Sequence, residues 1–264
     1  TPGHSSAASD VYKRQTESAQ IEVFNNLFMS IAEQMGFVLE KTAQSITIKE
    51  RLDFSCAIFD KNGDLVANAP HMPVHLGSMD STVKSIIKNN STLSYGDIFA
   101  INAPYNGGTH LPDITIVNPI WNAEKNEIIF YTAARGHHTD IGGLTPGSMP
   151  CNSTNINEEG IYIDNWKIVD KGIFKEKAIK EKLLAGSYPA RSPSTNIADL
   201  KAQIAACKKG EIELLKIVNK YGLETVFRFQ ELVCQNAENA VRESIKTIKS
   251  LSLIHISEPT RRSY

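Results

Sequence analysis

Five histidines lie in the middle of the sequence, between residues 71 and 138, in segments that are rich in glycine and proline. An imidazole ring binds divalent metals and also accepts or donates a proton near neutral pH. A single histidine is more often a hydrogen-bonded structural residue, whereas a group of histidines in predicted loops favours a functional site. The members of this group are His71, His75, His110, His137 and His138.

The first candidate segment is Gly107-Gly-Thr-His-Leu-Pro-Asp113, which precedes a predicted strand. His110 and Asp113 stand three residues apart around a proline, so an imidazole and a carboxylate can converge where the strand begins. The two glycines let the backbone approach whatever these side chains hold. One nitrogen and one hard oxygen suit Mn²⁺, Zn²⁺ or Fe²⁺. Taken alone the pattern is weak, because an aspartate that caps a turn and a histidine that packs would produce it too.

The second candidate segment is Arg135-Gly-His-His-Thr-Asp140, which follows the predicted strand Ile128–Ala133. The polar turn Asn122–Asn126 predicts that this strand pairs antiparallel with the strand Ile114–Val117. Such a pairing brings the second histidine segment beside the first, at one end of the sheet.

This convergence predicts a metal site built from His110, Asp113 and the adjacent pair His137 and His138. Three ligands from two neighbouring strand ends, with positions left open for water or substrate, form the usual arrangement of a catalytic metal site. Successive side chains of an extended chain point to opposite sides. Only one of the two adjacent histidines is therefore expected to bind metal directly, and the other to face substrate or to support the ligands.

Two further segments carry candidate catalytic residues. Asp53 begins a predicted buried strand, where a salt bridge to Arg51 or a capping role would explain it equally well. The segment His71-Met-Pro-Val-His75 is predicted to be a loop that leads into a helix, with Ser78 as the N-cap. Its two histidines could orient a substrate.

The composition excludes several classes of protein. The 28 basic and 29 acidic residues leave a net charge of −1, so nucleic-acid binding is not expected as the main function. No apolar run approaches the length of a transmembrane helix. The four cysteines are far apart, which predicts free thiols and a cytoplasmic location. The sequence contains neither of the common glycine-rich nucleotide-binding motifs and no serine-hydrolase elbow.

The hydrophobic pattern predicts an α+β fold with a β-rich centre framed by helices. Apolar residues three and four positions apart predict an N-terminal helix from Thr16 to about Gln44 and a C-terminal helical pair divided at Tyr221-Gly222. A β-hairpin with a turn at Gly63 is predicted near the start of the central region. The other expected elements are a short helix at Met79–Ile87, strands at Ile98–Ile101 and within Ile156–Val169, a loop at Gly136–Ser153, and a linker or helix at Phe174–Leu184.

Both ends of the chain lack the hydrophobic periodicity of their neighbours. Residues 1–15 and 250–264 read as non-native scars of the kind that flank assembled fragments. We therefore expect the native domain to be residues 16–249, as the N-terminal part of a longer protein.

Taken together, the motifs resemble the hydantoinase B/oxoprolinase family. The resemblance is specific because several long motifs occur in order between residue 50 and about residue 221. These motifs are ERLDFSCAIFD (50–60), PHMPVHLGSM (70–79), GDIFAINAPYNGGTHLPDITIV (96–117), RGHHTDIGGLTPGSMP (135–150), EEGIYI (158–163) and YPARSPSTNIADLKAQIAACKKG (188–210).

The resemblance implies a subunit or domain of an ATP-dependent hydrolase of cyclic amides, either a 5-oxoprolinase or an N-methylhydantoinase. It also implies a divalent metal in this subunit, either Mn or Zn or else Fe, together with ATP and Mg in a hydantoinase A-type partner within a hetero-oligomer. By motif, His110, Asp113 and the pair His137 and His138 correspond to ligands. Asp53 corresponds to a ligand or a catalytic acid, and a further histidine ligand is expected beyond the fragment.

Other functions remain open at this stage. The same subunit type occurs in ATP-dependent ketone carboxylases, and a non-catalytic assembly subunit would also carry these motifs. Arg135 could bind a substrate carboxylate or phosphate through a bidentate contact, although a salt bridge to Asp140 would account for it equally well. His75 and His138 are the remaining candidates for catalysis.

Overall fold

The computed structural model describes residues 4–248, with side chains from residue 17 onward. The chain forms two compact units, one made of Asn25–Leu223 and the other of the segments on either side of it. Residues 4–15, predicted to be a scar, continue the first helix. The predicted scar 250–264 lies outside the described residues, so the assignment of both ends stays a prediction.

A seven-stranded antiparallel sheet forms the centre of the larger unit, which confirms the α+β prediction. The strands are β1 (Phe54–Asp60), β2 (Leu65–Asn68), β3 (Ile98–Ile101), β4 (Asp113–Trp121), β5 (Ile128–His137), β6 (Trp166–Asp170) and β7 (Ile173–Phe174). Their order across the sheet is β2-β1-β5-β4-β3-β6-β7. The predicted hairpin is the pair β1 and β2, and the predicted central pairing is that of β4 with β5.

Six α-helices accompany the sheet in the described part of the chain. They are α1 (His4–Thr42), α2 (Ile46–Lys49), α3 (Pro73–Asn89), α4 (Glu176–Leu184), α5 (Pro193–Tyr221) and α6 (Leu223–Thr247). The predicted N-terminal helix and C-terminal helical pair are confirmed. Between residues 4 and 248 no helix combines the length and the apolar character needed to cross a membrane.

Two sequence predictions about local structure are wrong. Helix α3 begins at Pro73 and follows the N-cap residue Met72, so Ser78 lies inside the helix instead of capping it. Proline favours this first position because its fixed φ suits a helix and its missing N–H costs nothing there. The stretch predicted as strands within Ile156–Val169 contains a 3₁₀ turn at Ile156–Glu158, and only its last residues belong to β6.

Helices cover both faces of the sheet, and alternate residues of each strand serve different helices. On one face α3 contributes Met79, Val83 and Ile86 to a core shared with β1, β3, β4 and β5. On the other face α5 lies against β4 and β5, where Thr132 donates a hydrogen bond to the Cys207 carbonyl. Residues that are neighbours in β5 therefore enter different surroundings.

Replacing Gly210 by alanine is expected to destabilise the fold by about 1–3 kcal/mol, because a Cβ there would overpack the core. It would lie 2.5 Å from Met35 Sδ in α1 and 2.8 Å from Thr132 Cγ2 in β5. Gly77→Ala in α3 is the matched control, since its Cβ would meet no atom within 4 Å and the better helix former should stabilise by about 0.5–1 kcal/mol. Urea unfolding of the two variants tests this, and equal effects of the same sign would contradict it.

Candidate metal centre

Three strand ends meet at one edge of the sheet and position the candidate ligands. The register of β4 and β5 places Asp113 directly opposite His137. Strand β1 lies on the other side of β5, and the carbonyl of Asp53, just before β1, accepts a hydrogen bond from the His137 N–H at 3.0 Å. The expected convergence of the two histidine segments is confirmed.

The Asp113 carboxylate is the centre of the cluster. Its Oδ1 lies 3.0 Å from His137 Nδ1 and its Oδ2 lies 3.0 Å from His110 Nδ1. Thr109 donates a third hydrogen bond to Oδ2 at 2.8 Å. One ligand atom from each of His110, Asp113 and His137 falls within 4.8 Å of the others. The side chain of Asp113 is 3% exposed and that of His110 is 43% exposed, so the cluster opens to solvent on the His110 side.

Helix α3 contributes a third histidine to the same cluster. Its His75 Nε2 lies 3.5 Å from Asp113 Oδ2 and 3.5 Å from Asp53 Oδ1. The ring is buried, and among the described residues nothing hydrogen-bonds its Nδ1. His75 was expected in a loop but occupies the first turn of α3. Asp53 follows Leu52, whose φ of 54° is in the left-handed region that leucine rarely adopts.

Burial, hydrogen bonds and charge lower the pKa values of Asp113 and His75 and raise that of His110. Burial alone would raise the pKa of Asp113, but hydrogen bonds from His110 and His137 and the charge of His75 outweigh burial and hold that pKa well below its usual range. The hydrogen bond to Asp113 raises the pKa of His110. Burial lowers the pKa of His75, although Asp113 and Asp53 oppose this effect. The buried carboxylate is thus compensated by the imidazoles that surround it.

His138 lies outside the cluster, on the α5 face of the sheet. Gln203 Nε2 donates to the carbonyls of Ile114 and Ala134, so Gln203 Oε1 must accept from His138 Nε2, 3.1 Å away. The other ring nitrogen, Nδ1, faces the Asn196 amide nitrogen at 3.3 Å. Both nitrogens are therefore engaged by helix α5, and burial lowers the pKa of this ring. Of the adjacent histidines, the structure brings His137 to the cluster and holds His138 in the core.

Arg135 has no free N–H group with which to bind a substrate. Its guanidinium is fully buried and donates to the hydroxyls of Thr115, Ser78 and Thr82 and to the carbonyls of His75 and Gly107. These five contacts use all five donors of the group. The alternative salt bridge to Asp140 is also absent, because that carboxylate pairs with Arg191 at 2.6 Å. Arg135 instead ties helix α3 and the Gly107 loop to the sheet.

Two other residues complete the comparison with the sequence predictions. His71 does not enter the cluster, since its Nδ1 accepts from the Cys56 N–H at 3.1 Å and its ring packs against Phe54. Thr109 supports Asp113 directly and was not singled out from the sequence, although it stands in the same glycine-rich motif. No pattern in the sequence distinguishes this threonine from an ordinary loop residue.

Replacing Arg135 by lysine is expected to destabilise the fold by about 2–4 kcal/mol. An ammonium group has three donors at one point and cannot reach five acceptors on separate elements, so buried oxygens lose their partners. Arg51→Lys is the control, because Arg51 is exposed and such surface changes stay within about 0.5 kcal/mol. Chemical denaturation measures both variants. A wild-type midpoint for Arg135→Lys would show that the hydrogen-bond network contributes little.

The chain matches the hydantoinase B/oxoprolinase family over residues 17–258. It is 46% identical over 241 residues to 5-oxoprolinase 1 of Arabidopsis thaliana, an alignment that covers 87% of this chain and 19% of that protein. The solved structure of the ATP-dependent caprolactamase from Pseudomonas jessenii matches with a TM-score of 0.78 and 26% identity, over 89% of this chain and 40% of that one.

A nucleotide-free acetone carboxylase structure has the same fold, with a TM-score of 0.74 at 20% identity over 82% of this chain and 28% of that chain. The chain spans less than half the length of each of these three proteins. The family match covers most of the chain and includes every residue of the histidine and aspartate cluster. This chain belongs to the hydantoinase B/oxoprolinase family.

Proposed function

We propose that this chain is the metal-binding part of an ATP-dependent hydrolase of cyclic amides. The best-supported reaction is that of a 5-oxoprolinase, in which 5-oxo-L-proline, ATP and water give L-glutamate, ADP and phosphate. N-methylhydantoin is the alternative substrate. The observation that carries the proposal is the cluster of His110, Asp113 and His137, in a chain that is 46% identical to a 5-oxoprolinase.

The chemistry of a lactam explains why such an enzyme consumes ATP. Resonance stabilises the amide, so its carbonyl oxygen must be activated before water can attack. We assign ATP and its Mg to a hydantoinase A-type partner, separate or fused, which would phosphorylate that oxygen. This chain would then provide the metal-dependent part of a cytoplasmic hetero-oligomer. Cys56, Cys151 and Cys207 are free thiols, in keeping with that location.

The donor set of the cluster fits a divalent metal. Two imidazoles and one carboxylate, buried on one side and open on the other, suit Mn²⁺, Zn²⁺ or Fe²⁺ with positions left for other ligands. When bound, such an ion polarises a carbonyl or phosphoryl oxygen and lowers the pKa of a coordinated water. His110, Asp113 and His137 would hold the ion, and Thr109 would keep the Asp113 carboxylate oriented.

Two residues of the chain are placed to handle protons beside this cluster. His75 Nε2 faces both Asp113 and Asp53, and its rigid position in the first turn of α3 keeps it aimed at the site. Asp53 is 29% exposed and connects this buried imidazole with solvent. His75 would accept a proton from the attacking water, and Asp53 would pass it on or join the ligands. Neither Arg135 nor His138 has a donor left for this task.

The metal assignment predicts that His110→Ala, Asp113→Asn and His137→Ala each lose Mn and Zn binding while the fold is kept, since these side chains lie at strand ends and loops. His138→Gln is the matched control and should bind metal like the wild type. Metal analysis after loading and gel filtration, together with the rise in melting temperature on metal addition, measures the effect. Metal retained by Asp113→Asn, or lost only by His138→Gln, would overturn the assignment.

The proton-transfer assignment predicts that His75→Ala lowers kcat by about 10²–10⁴-fold with unchanged metal content. His71→Asn, at a histidine outside the cluster, should leave turnover near the wild-type value. The assay is 5-oxoproline-dependent ATP hydrolysis by the full-length protein together with its A-type partner. Full activity of His75→Ala would refute the role. Turnover with a ketone and bicarbonate in place of 5-oxoproline would establish a carboxylase instead. If the protein catalyses neither reaction, the result would indicate an assembly subunit.

A further inference from the structure

The larger unit contains a cavity that is separate from the candidate metal cluster. It has a volume of about 440 Å³ and is bounded by Ile141, by residues 157–162 and by the end of helix α4 with the loop after it. None of its lining residues belongs to the cluster. A cavity of this size holds a small organic molecule and not just a single ion.

The charge of the lining has one sign. Lys182 is the cationic residue of the cavity, and no aspartate or glutamate lines it. Within residues 17–248 no carboxylate pairs with Lys182, whereas its neighbours Lys175 and Lys177 pair with Asp170 and Glu181. The nearby Arg191 is held by Asp140 and does not line the cavity. A lysine that lines a cavity and has no carboxylate partner favours an anionic ligand.

Polar and apolar atoms contribute comparable shares of the cavity lining. Ile141 and Leu183 are each 1% exposed and form part of the wall. Two tyrosine rings, Tyr162 and Tyr188, line it as well, and the hydroxyl of Tyr162 is directed to Asp164 at 3.5 Å. A ligand with an apolar body and one negative charge matches these surroundings better than inorganic phosphate does.

We propose that this cavity binds a small organic carboxylate whose charged group pairs with Lys182 and whose neutral body packs against the rings of Tyr162 and Tyr188. 5-Oxo-L-proline is a ligand of this class, with one carboxylate and a neutral ring. Its choice as the probe rests on the proposed function, but the binding site itself does not. Ile141 in the cavity wall follows the cluster residue His137 by four positions. A ligand bound here would therefore contact the segment that continues from the candidate metal centre.

The test is a titration of the 264-residue chain with 5-oxo-L-proline, followed by calorimetry or ligand-observed NMR in the presence of EDTA. The chelator removes any metal that would itself bind carboxylates. Lys182→Met should weaken binding by about tenfold or more, because a charge-assisted contact is lost. Lys177→Met on the same helix is the matched control and should bind like the wild type. Ala185→Trp should fill the cavity and prevent binding while Lys182 is kept.

Saturable binding that Lys182→Met weakens and Lys177→Met does not would support the site. No binding to the wild type, or equal affinities of the wild type and Lys182→Met, would overturn it. Inorganic phosphate that binds as tightly as 5-oxo-L-proline would also overturn the carboxylate assignment. Melting curves confirm that each variant is folded. Mn binding by Lys182→Met, measured without EDTA, shows that the candidate metal centre is intact in this variant. The two proposals are thereby tested separately.

Discussion

The pairing of β4 with β5 is the constraint on which the site depends. Asp113 and His137 are far apart in sequence, and only their opposition in this antiparallel register brings a carboxylate to the imidazole. At this end of the sheet the His138 N–H donates to the Pro112 carbonyl beside β4, and the His137 N–H donates to the Asp53 carbonyl beside β1. A shift of one residue would exchange the two faces of the strand. It would turn His137 toward α5 and leave Asp113 beside the wrong side chain.

The same alternation places the last residues of β5, and His138 directly after it, on different faces of the sheet. Arg135 and His137 belong to the α3 face, where they join the loops and the metal cluster. His138 belongs to the α5 face, where Gln203 and Asn196 satisfy it. In this motif His137 joins the candidate metal cluster, whereas Arg135 and His138 are structural. A buried polar residue with every partner satisfied stabilises the frame of a site without taking part in its chemistry.

Sequence reasoning predicted what depends on pattern and topology. The β4–β5 turn and the alternation of its strands predicted that the two histidine segments converge and that only one of His137 and His138 joins them, without saying which. It did not predict that His75 lies in a helix, because the proline before it marks a helix start as readily as a loop. The role of Arg135 was out of reach, since its five acceptors come from separate elements that carry no local signal.

The candidate metal cluster and the proposed turnover are separable because the cluster is supported by contacts within the larger unit. The Gly107 carbonyl accepts from both Thr82 and Arg135, and Asn102 donates to the Leu111 carbonyl at 2.7 Å. These hydrogen bonds, made within the chain, fix the backbone before and after His110. The relative from Arabidopsis thaliana is several times longer than this chain. A metal bound by this chain alone would thus show that the ligand geometry is local, whereas chemistry on a lactam would depend on whatever the longer proteins add.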